Sequence, residues 1–451
     1  VHGIAHSNKV ANAAVCSDCH GTHDLHRGTN PQSKLFWQTI PATCGKCHEN
    51  VRQTYQRSIH GQAVASGIRD APVCTDCHGE HTIGAVALAT SKVSPSHIPE
   101  TCAQCHGAER IGNDEAWFEE WTRMGEEVEA RASEAASKGR RVTASRFYLR
   151  AAMYYQMGER FRQPKDEKAL QVFRRGVECF KAGAQYLDFP AIEHVEVPFE
   201  GGKSLPAIFV KPSNGGDRPL PTVIFFDGLD VTKEICYFMG GVGDLVRRGV
   251  SCLLVDGPGN GESIRYRGLY LRYDQEVPAR AALDYLETRK DVDAQRVGVM
   301  ALSLGGYYAP RSAAFEKRLK ACVAWGAQWD YQAVWRRRFE MAYKTALSVP
   351  PDHIQWVLNV KSIEEALEKL EKFKLAGVVE KITCPFLLVH GADDAQIPLE
   401  DAEACFRAVG SKDKTFKIFT AEEGGSQHCN IDYLGLALPY MHDWLAEKLG
   451  A

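Results

Sequence analysis

One stretch narrows the choice of fold more than any other: Val297-Gly298-Val299-Met300-Ala301-Leu302-Ser303-Leu304-Gly305-Gly306. Its Val-rich apolar run reads as a buried parallel strand. The small-x-Ser-x-Gly-Gly that ends it, followed by Tyr307-Tyr308-Ala309, reads as a sharp turn into a helix, the pattern of a nucleophile elbow. A serine thrust out of such a turn sits in strained backbone, so the residues two before and two after it must be small for strand and helix to pass closely. Ala301 and Gly305 meet that need. Ala301 stands where glycine is usual, and a methyl group still fits. So short a pattern also arises by chance, so its weight rests on its surroundings.

With 451 residues, 44% hydrophobic and 25% charged, the chain is long enough for two or three domains with cores of their own. A net charge of -3 gives no sign of a nucleic-acid partner. No apolar run approaches the roughly 18 residues of a membrane span. Val1-His2-Gly3 reads as a start partway through a repeat rather than as a signal peptide. Of 15 Cys and 16 His, 8 and 11 lie before residue 107, which divides the chain chemically in two.

The first part is a duplication. Cys16-Ser17-Asp18-Cys19-His20, Cys44-Gly45-Lys46-Cys47-His48, Cys74-Thr75-Asp76-Cys77-His78 and Cys102-Ala103-Gln104-Cys105-His106 are four CxxCH motifs, and an offset of 58 maps the first onto the third and the second onto the fourth. His2-Gly3 maps onto His60-Gly61 and His23 onto His81 by the same offset. In c-type haem attachment two thiols form thioethers with the porphyrin vinyls, and the adjacent His takes an axial position on the iron. Paired CxxC also describes structural zinc, but zinc leaves unexplained a His directly after every pair. The expectation is four covalent haems c with His20, His48, His78 and His106 as proximal ligands. The duplicated His2, His23, His60 and His81 are first choices as distal ligands, and His97 and His26 come next, with surface or propionate-binding roles as the alternative. About 106 residues with few large aliphatics bury little core, so the haems themselves would be the core. This region resembles the repeat-built multihaem cytochromes with bis-His haems, which implies electron transfer and a redox partner protein. It departs from the repeat after the last motif: twelve residues beyond His48 lies His60, but twelve beyond His106 lies Phe118.

From Asp114 to about Tyr186 the spacing predicts helices, with Trp117, Phe118, Trp121, Met124 and Val128 on one buried face. Aromatic density there serves packing more often than it lines a substrate pocket. Beyond Pro190, strands alternate with helices: Val195–Val197, Ala207–Val210, Val223–Phe226, Ser251–Val255, Val297–Ala301, Ala321–Trp325, Phe386–Val389 and Thr415–Phe419. These read as an α/β protein with an eight-stranded, mostly parallel, doubly wound sheet whose first pair is a hairpin.

Catalysis by Ser303 needs a base, an acid to orient the base, and donors for the oxyanion, with acid and then histidine following the nucleophile. Phe386-Leu387-Leu388-Val389-His390-Gly391-Ala392-Asp393-Asp394 is a strand ending in His-Gly-x-x-Asp, which makes Asp394 the acid and Asp393 its fallback. Gly424-Gly425-Ser426-Gln427-His428 supplies the base, His428, on a Gly-rich loop after the last strand. His390 sits within a strand end and reads as structural, and His194, His353 and His442 are not in register with any strand end. The oxyanion donors are the N–H of Leu304 and, from the loop Phe226-Asp227-Gly228-Leu229-Asp230, the N–H of Leu229. Asp256-Gly257-Pro258-Gly259-Asn260-Gly261-Glu262-Ser263 lacks nucleotide-binding spacing and reads as packing beside the elbow.

On these residues, from about 114 to 451, the chain resembles the α/β-hydrolases with an N-terminal helical cap, the group of 2,6-dihydroxypseudooxynicotine hydrolase and related esterases. The resemblance implies Ser-His-Asp hydrolysis of a C–C bond beside a carbonyl, or of an ester, in a small aromatic substrate and without a cofactor for the hydrolase. An insertion at about 328–375, with Trp329, Tyr331, Trp335 and Trp356, is a lid candidate. Its Arg336-Arg337-Arg338 reads as a solvated helix face ahead of a carboxylate-binding role. The expected domains are a small, loop-rich, haem-packed cytochrome at 1–108, a helical cap at 109–190 and an α/β-hydrolase core at 191–451. The haem half implies an extracytoplasmic location, while the hydrolase half alone, with seven single Cys in mostly apolar contexts, reads as cytoplasmic. A natural fusion or a joined chain both fit the abrupt end of the repeat, and a homo-oligomer is left open. A serine hydrolase fused to a tetrahaem carrier is the leading reading. The alternative is an electron-transfer protein whose hydrolase fold is a docking module.

Overall fold

A computed structural model of the protein describes residues 14–22, 25–69, 71–79, 91–92, 114–213, 218–340 and 352–451. The chain divides into two compact units, Val1–Trp117 and Phe118–Ala451.

In the first unit, short helices carry the described cysteine motifs: Cys16–His20, Ile40–Gly45, Glu49–Arg57, Ile59–Ala65 and Cys74–His78. The 58-residue repeat is a repeat of geometry as well as of letters. Asp18 Oδ2 accepts from the Val15 N–H at 2.7 Å, and Asp76 Oδ2 accepts from the Val73 N–H at 2.7 Å. Gly21 and Gly79 end the two turns at φ 86° and 81°, a region closed to most other residues. Ile40, Val64 and Val73 are the buried aliphatics among the described residues, with Trp37, Tyr55, Ala71, Cys44 and Cys74 packed against them. His2, His23, His81, His97, Cys102, Cys105 and His106 lie outside the described residues, and His60 lies on the helix Ile59–Ala65.

Three long helices follow: Asp114–Ser137, which starts before the second unit and runs into it, Arg141–Phe161 and Glu167–Ala184. Asp166 caps the third by accepting from the Ala169 N–H at 2.9 Å, and Ala169, Val172, Phe173, Gly176, Val177 and Phe180 recur at helical spacing as its buried face. The buried face of the first differs from the one its aromatic spacing predicts. Phe118 is fully buried, but Trp117 is exposed, and burial continues through Gly125, Ala132 and Ala135. The reason is a close crossing, since a Cβ at Gly125 would come within 2.6 Å of the Tyr155 ring.

Eight strands follow: β1 (Ala191–Pro198), β2 (Ser204–Lys211), β3 (Leu220–Phe226), β4 (Ser251–Val255), β5 (Val292–Leu302), β6 (Ala321–Trp325), β7 (Phe386–Gly391) and β8 (Lys414–Phe419). They form one sheet in the order β1-β2-β4-β3-β5-β6-β7-β8. β1 pairs with β2, and β2 with β4, antiparallel, while every other pair is parallel. All eight predicted strands are present, and the first two form the expected hairpin. Successive side chains point to opposite faces and so feed two cores. Ile224, Phe226, Val299 and Ala301 enter one, and Val223, Phe225, Met300 and Leu302 the other. Burial on both faces explains why the central strands are continuous apolar runs rather than alternating ones. Every parallel strand then delivers its C-terminal end, and the loop after it, to one edge of the sheet.

Candidate active site

Ser303 leaves β5 with φ 60°, the left-handed conformation that strains a residue with a Cβ. Its N–H donates to the Trp325 carbonyl at 2.8 Å, which ties the turn to the end of β6. The two glycines after it are required by space. A Cβ at Gly305 would meet that of Ala301 at 2.5 Å, and one at Gly306 would fall 1.5 Å from the Gly326 carbonyl oxygen. The helix Gly305–Phe315 can therefore start beside β6 only from this sequence.

His428 Nε2 lies 2.9 Å from Ser303 Oγ, and His428 Nδ1 lies 2.7 Å from Asp394 Oδ2. Asp394 is buried, and its other oxygen accepts from the N–H groups of Gln396 at 2.8 Å and Ile397 at 3.0 Å. Burial works to raise its pKa, but the hydrogen bond and charge of His428 outweigh that and hold the carboxyl below its ordinary value. Burial alone would lower the pKa of His428; charge on the neighbouring Cys429 sulfur and the hydrogen bond and charge of Asp394 act the other way and raise it above its ordinary value. Hydroxyl, imidazole and carboxylate thus form one connected line, in which the imidazole can take the serine proton while the carboxylate steadies the charge that develops.

The rivals do not reach Ser303, although His390 Nε2 lies 4.0 Å from Asp394 Oδ2. Asp393 is exposed. His390 is buried with its Nε2 3.1 Å from the Ile397 carbonyl, and burial lowers its pKa. His442 Nε2 meets the Gly240 carbonyl at 2.9 Å, and His194 packs edge-on against Phe180; burial takes both down to about 4. His353 is buried on the insertion, 3.5 Å from the Leu229 carbonyl.

Among the described residues, the N–H groups of Leu304 and Leu229 have no acceptor. Gly228 lets its loop close on Ser303, since a Cβ there would sit 3.2 Å from Ser303 Cβ. Asn260 does more than pack beside the elbow. Its buried amide donates to the Gly228 carbonyl and, at 3.2 Å, to the Val231 carbonyl. The Gly228 carbonyl and the Leu229 N–H belong to one peptide plane, so Asn260 fixes the direction in which that N–H points. Beneath it lies a buried ion cluster: Lys233 Nζ meets Asp256, Glu234 and Glu262, each at 2.8 Å. It joins the loop after β3 to the turn after β4. From the cap, Gln156 reaches the same cluster through Glu234 at 3.1 Å, and Arg160 pairs with Asp230.

The loop that carries His428 is clamped just as closely. Asp432 accepts the N–H groups of Gly425, Ser426 and Gln427, each at 3.0 Å. Asn430 accepts from Trp325 Nε1 at 2.8 Å. Gly391 is needed here, because a Cβ would come within 2.2 Å of the Ser426 carbonyl oxygen.

A family model described as esterase FrsA-like matches residues 100–334, more than half of the chain. The chain belongs to the FrsA-like esterases. Residues 245–450 of this FrsA-like esterase also match the prolyl oligopeptidase family. It is 30% identical over 382 residues to hydrolase acrC of Aspergillus aculeatus, which covers 75% of this chain and 89% of that protein. It is 29% identical over 351 residues to 2,6-dihydropseudooxynicotine hydrolase of Paenarthrobacter nicotinovorans, covering 76% and 88%. The crystal structure of a 2,6-dihydroxy-pseudo-oxynicotine hydrolase superimposes with a TM-score of 0.63 at 28% identity, over 74% of this chain and 88% of that one. The FrsA-like esterase is thus an α/β-hydrolase enzyme of the serine-hydrolase type, and hydrolases of this fold need no cofactor. The relatives offer no support for haem in the N-terminal unit.

Insertion residues 341–351 lie outside the described residues. The three arginines before them do not share one environment: Arg336 and Arg337 are exposed, as a solvated helix face requires, but Arg338 is buried. Tyr331, Val334, Trp335 and Arg338, at i, i+3, i+4 and i+7 of the helix Tyr331–Glu340, form its inward face.

Proposed function

We propose that Ser303, His428 and Asp394 are the nucleophile, base and orienting acid of this hydrolase, with the N–H groups of Leu229 and Leu304 as the oxyanion hole. The observation that carries the reading is the unbroken line from Ser303 Oγ through His428 to Asp394, at 2.9 and 2.7 Å. Ser303 attacks a carbonyl carbon while His428 takes its proton, and the two N–H groups hold the oxygen of the tetrahedral intermediate. His428 then returns the proton to the leaving group. A water attacks the acyl-serine in the second half of the cycle, with His428 again as base. The substrate is a small molecule, proposed as an aromatic ester or an aryl ketone cleaved at the C–C bond beside its carbonyl. The overlap with a 2,6-dihydroxy-pseudo-oxynicotine hydrolase supports the second class. Parallel assays of an aryl 1,3-diketone and a matched aryl ester, with Ser303→Ala as control, test this. Release of a carboxylic acid from the diketone supports C–C cleavage, whereas turnover of the ester alone limits the enzyme to ester chemistry.

We further propose that residues 1–108 form a tetrahaem domain, 109–190 the cap and 191–451 the hydrolase core. The described motifs fit the group: in Cys16–His20 and Cys74–His78 the two thiols and the imidazole lie at i, i+3 and i+4 of one helical turn. Cys16, Cys19, Cys44, Cys47, Cys74 and Cys77 would hold three haems, with His20, His48 and His78 on the irons, and Cys102, Cys105 and His106 a fourth. Bound haem c would supply one-electron transfer. Covalent attachment implies an extracytoplasmic site. Consistent with that, Cys179, Cys236, Cys252, Cys322, Cys405 and Cys429 of the second unit are buried. A pyridine haemochrome spectrum without c-type bands overturns the haem assignment.

A further inference from the structure

Arg338 is 9% exposed, and its hydrogen-bonding partner is a neutral amide, the Gln396 side-chain oxygen at 3.1 Å. Its guanidinium lies over the Trp335 ring, 4.9 Å from the centroid. Trp335 is fully buried, and among the described residues its Nε1 has no acceptor within hydrogen-bond geometry. Burying a charge is costly unless an anion answers it. Two carboxylates are close enough to act on Arg338 through space, Asp230 and Asp394, yet both have their contacts elsewhere. Asp230 pairs with Arg160, and Asp394 with His428. Burial accordingly lowers the pKa of the guanidinium.

The place of this cation gives its meaning. Asp230 follows Leu229 on the oxyanion loop. Gln396 is held by Asp394 through its own N–H at 2.8 Å, and the neighbouring Ile397 side chain reaches the Gly326 position beside the elbow. Arg338 therefore sits between the two loops that flank Ser303, carried there by the inward face of the insertion helix.

We propose that Arg338, with Trp335 Nε1 beside it, forms a subsite for an anionic oxygen of the substrate, so that the enzyme selects acyl compounds bearing a carboxylate or an ionised enol. This rests on the hydrolase reading above. A planar guanidinium suits either group, because both present oxygens in one plane. In the C–C class an enolate is also what the leaving group becomes.

The test compares p-nitrophenyl butyrate with the p-nitrophenyl monoester of glutaric acid, which carries a terminal carboxylate. The full chain is expected to favour the charged ester through KM. In Arg338→Gln, the ratio of kcat/KM for the charged ester to that for the neutral one falls at least 10-fold, and Arg338→Lys restores part of it. Calorimetric titration with glutarate and with cyclohexane-1,3-dione, ionised at neutral pH, reads the subsite without turnover. Tighter binding of the first assigns it to carboxylates and of the second to enolates, and either affinity is expected to fall at least 10-fold in Arg338→Gln. An unchanged ester ratio in a variant with wild-type thermal stability overturns the subsite, as does failure of both anions to bind the wild-type chain. Loss of turnover of both esters by wild-type enzyme counts instead against the hydrolase reading, and the titration still decides the subsite.

Discussion

The two units of this chain solve the problem of a stable interior in opposite ways. The hydrolase unit packs continuous apolar strands between two cores and places its charged chemistry within them, as in the cluster of Lys233 with Asp256, Glu234 and Glu262. In the first unit, Ile40, Val64 and Val73 are the buried aliphatics among the described residues, and the thiols sit at half-buried or exposed positions. The buried aliphatics among the described residues contribute little to offset the entropy of ordering a chain. One unit carries an extensive apolar interior of its own, while in the other the proposed haems would supply it.

The largest effect follows from that contrast. On the haem proposal, replacing both Cys of all four motifs by Ser is expected to abolish c-type absorbance. The segment before residue 114 then becomes the first site of proteolysis, while ester hydrolysis survives. Continued protease resistance of that segment would break the contrast, since its few aliphatics would then suffice.

Within the hydrolase unit, Asp394→Asn is expected to lower kcat about 10⁴-fold by leaving His428 in the wrong tautomer. Its sign in pH follows from the raised pKa of His428. The base acts only when neutral, so kcat/KM falls as pH drops through that pKa. Removing the Asp394 charge lowers the pKa and moves the acid limb to lower pH, read from a pH–rate profile. Lys233→Met leaves the buried Asp256 and Glu234 and the half-buried Glu262 without their cation, and is expected to cost about 3–5 kcal/mol in denaturant unfolding of the second unit. A smaller effect is expected at Asn260. Replacement by Ala frees the Gly228–Leu229 peptide to turn, and is expected to lower kcat about 10–100-fold with KM little changed, less than deletion of an oxyanion donor itself.

What could be read from the sequence alone was what local spacing encodes. The eight strands were legible because two-sided burial leaves unbroken apolar runs, and the elbow because Ser303 needs Gly305 and Gly306 within three residues. Asp394 and His428 were legible as strand-end residues in chain order. The residues that hold them were not. Asn260 reaches a carbonyl 32 positions away, and Trp325 meets Asn430 across 105 positions, distances that only the sheet order closes. Asp432 left no pattern either, because its partners are backbone N–H groups that any residue supplies. Arg338 is an instructive case. Its run of three basic residues suggested a solvated face, yet the i, i+3, i+4, i+7 spacing from Tyr331 already pointed it inward.

The central claim is that Ser303 is made nucleophilic by residues brought to it from the ends of β7 and β8. Labelling with a fluorophosphonate, followed by peptide mass mapping, tests it directly. The account predicts one covalent adduct, on Ser303 Oγ, lost in Ser303→Ala and slowed strongly in His428→Ala. An unlabelled native protein, or an adduct on another residue, would contradict it.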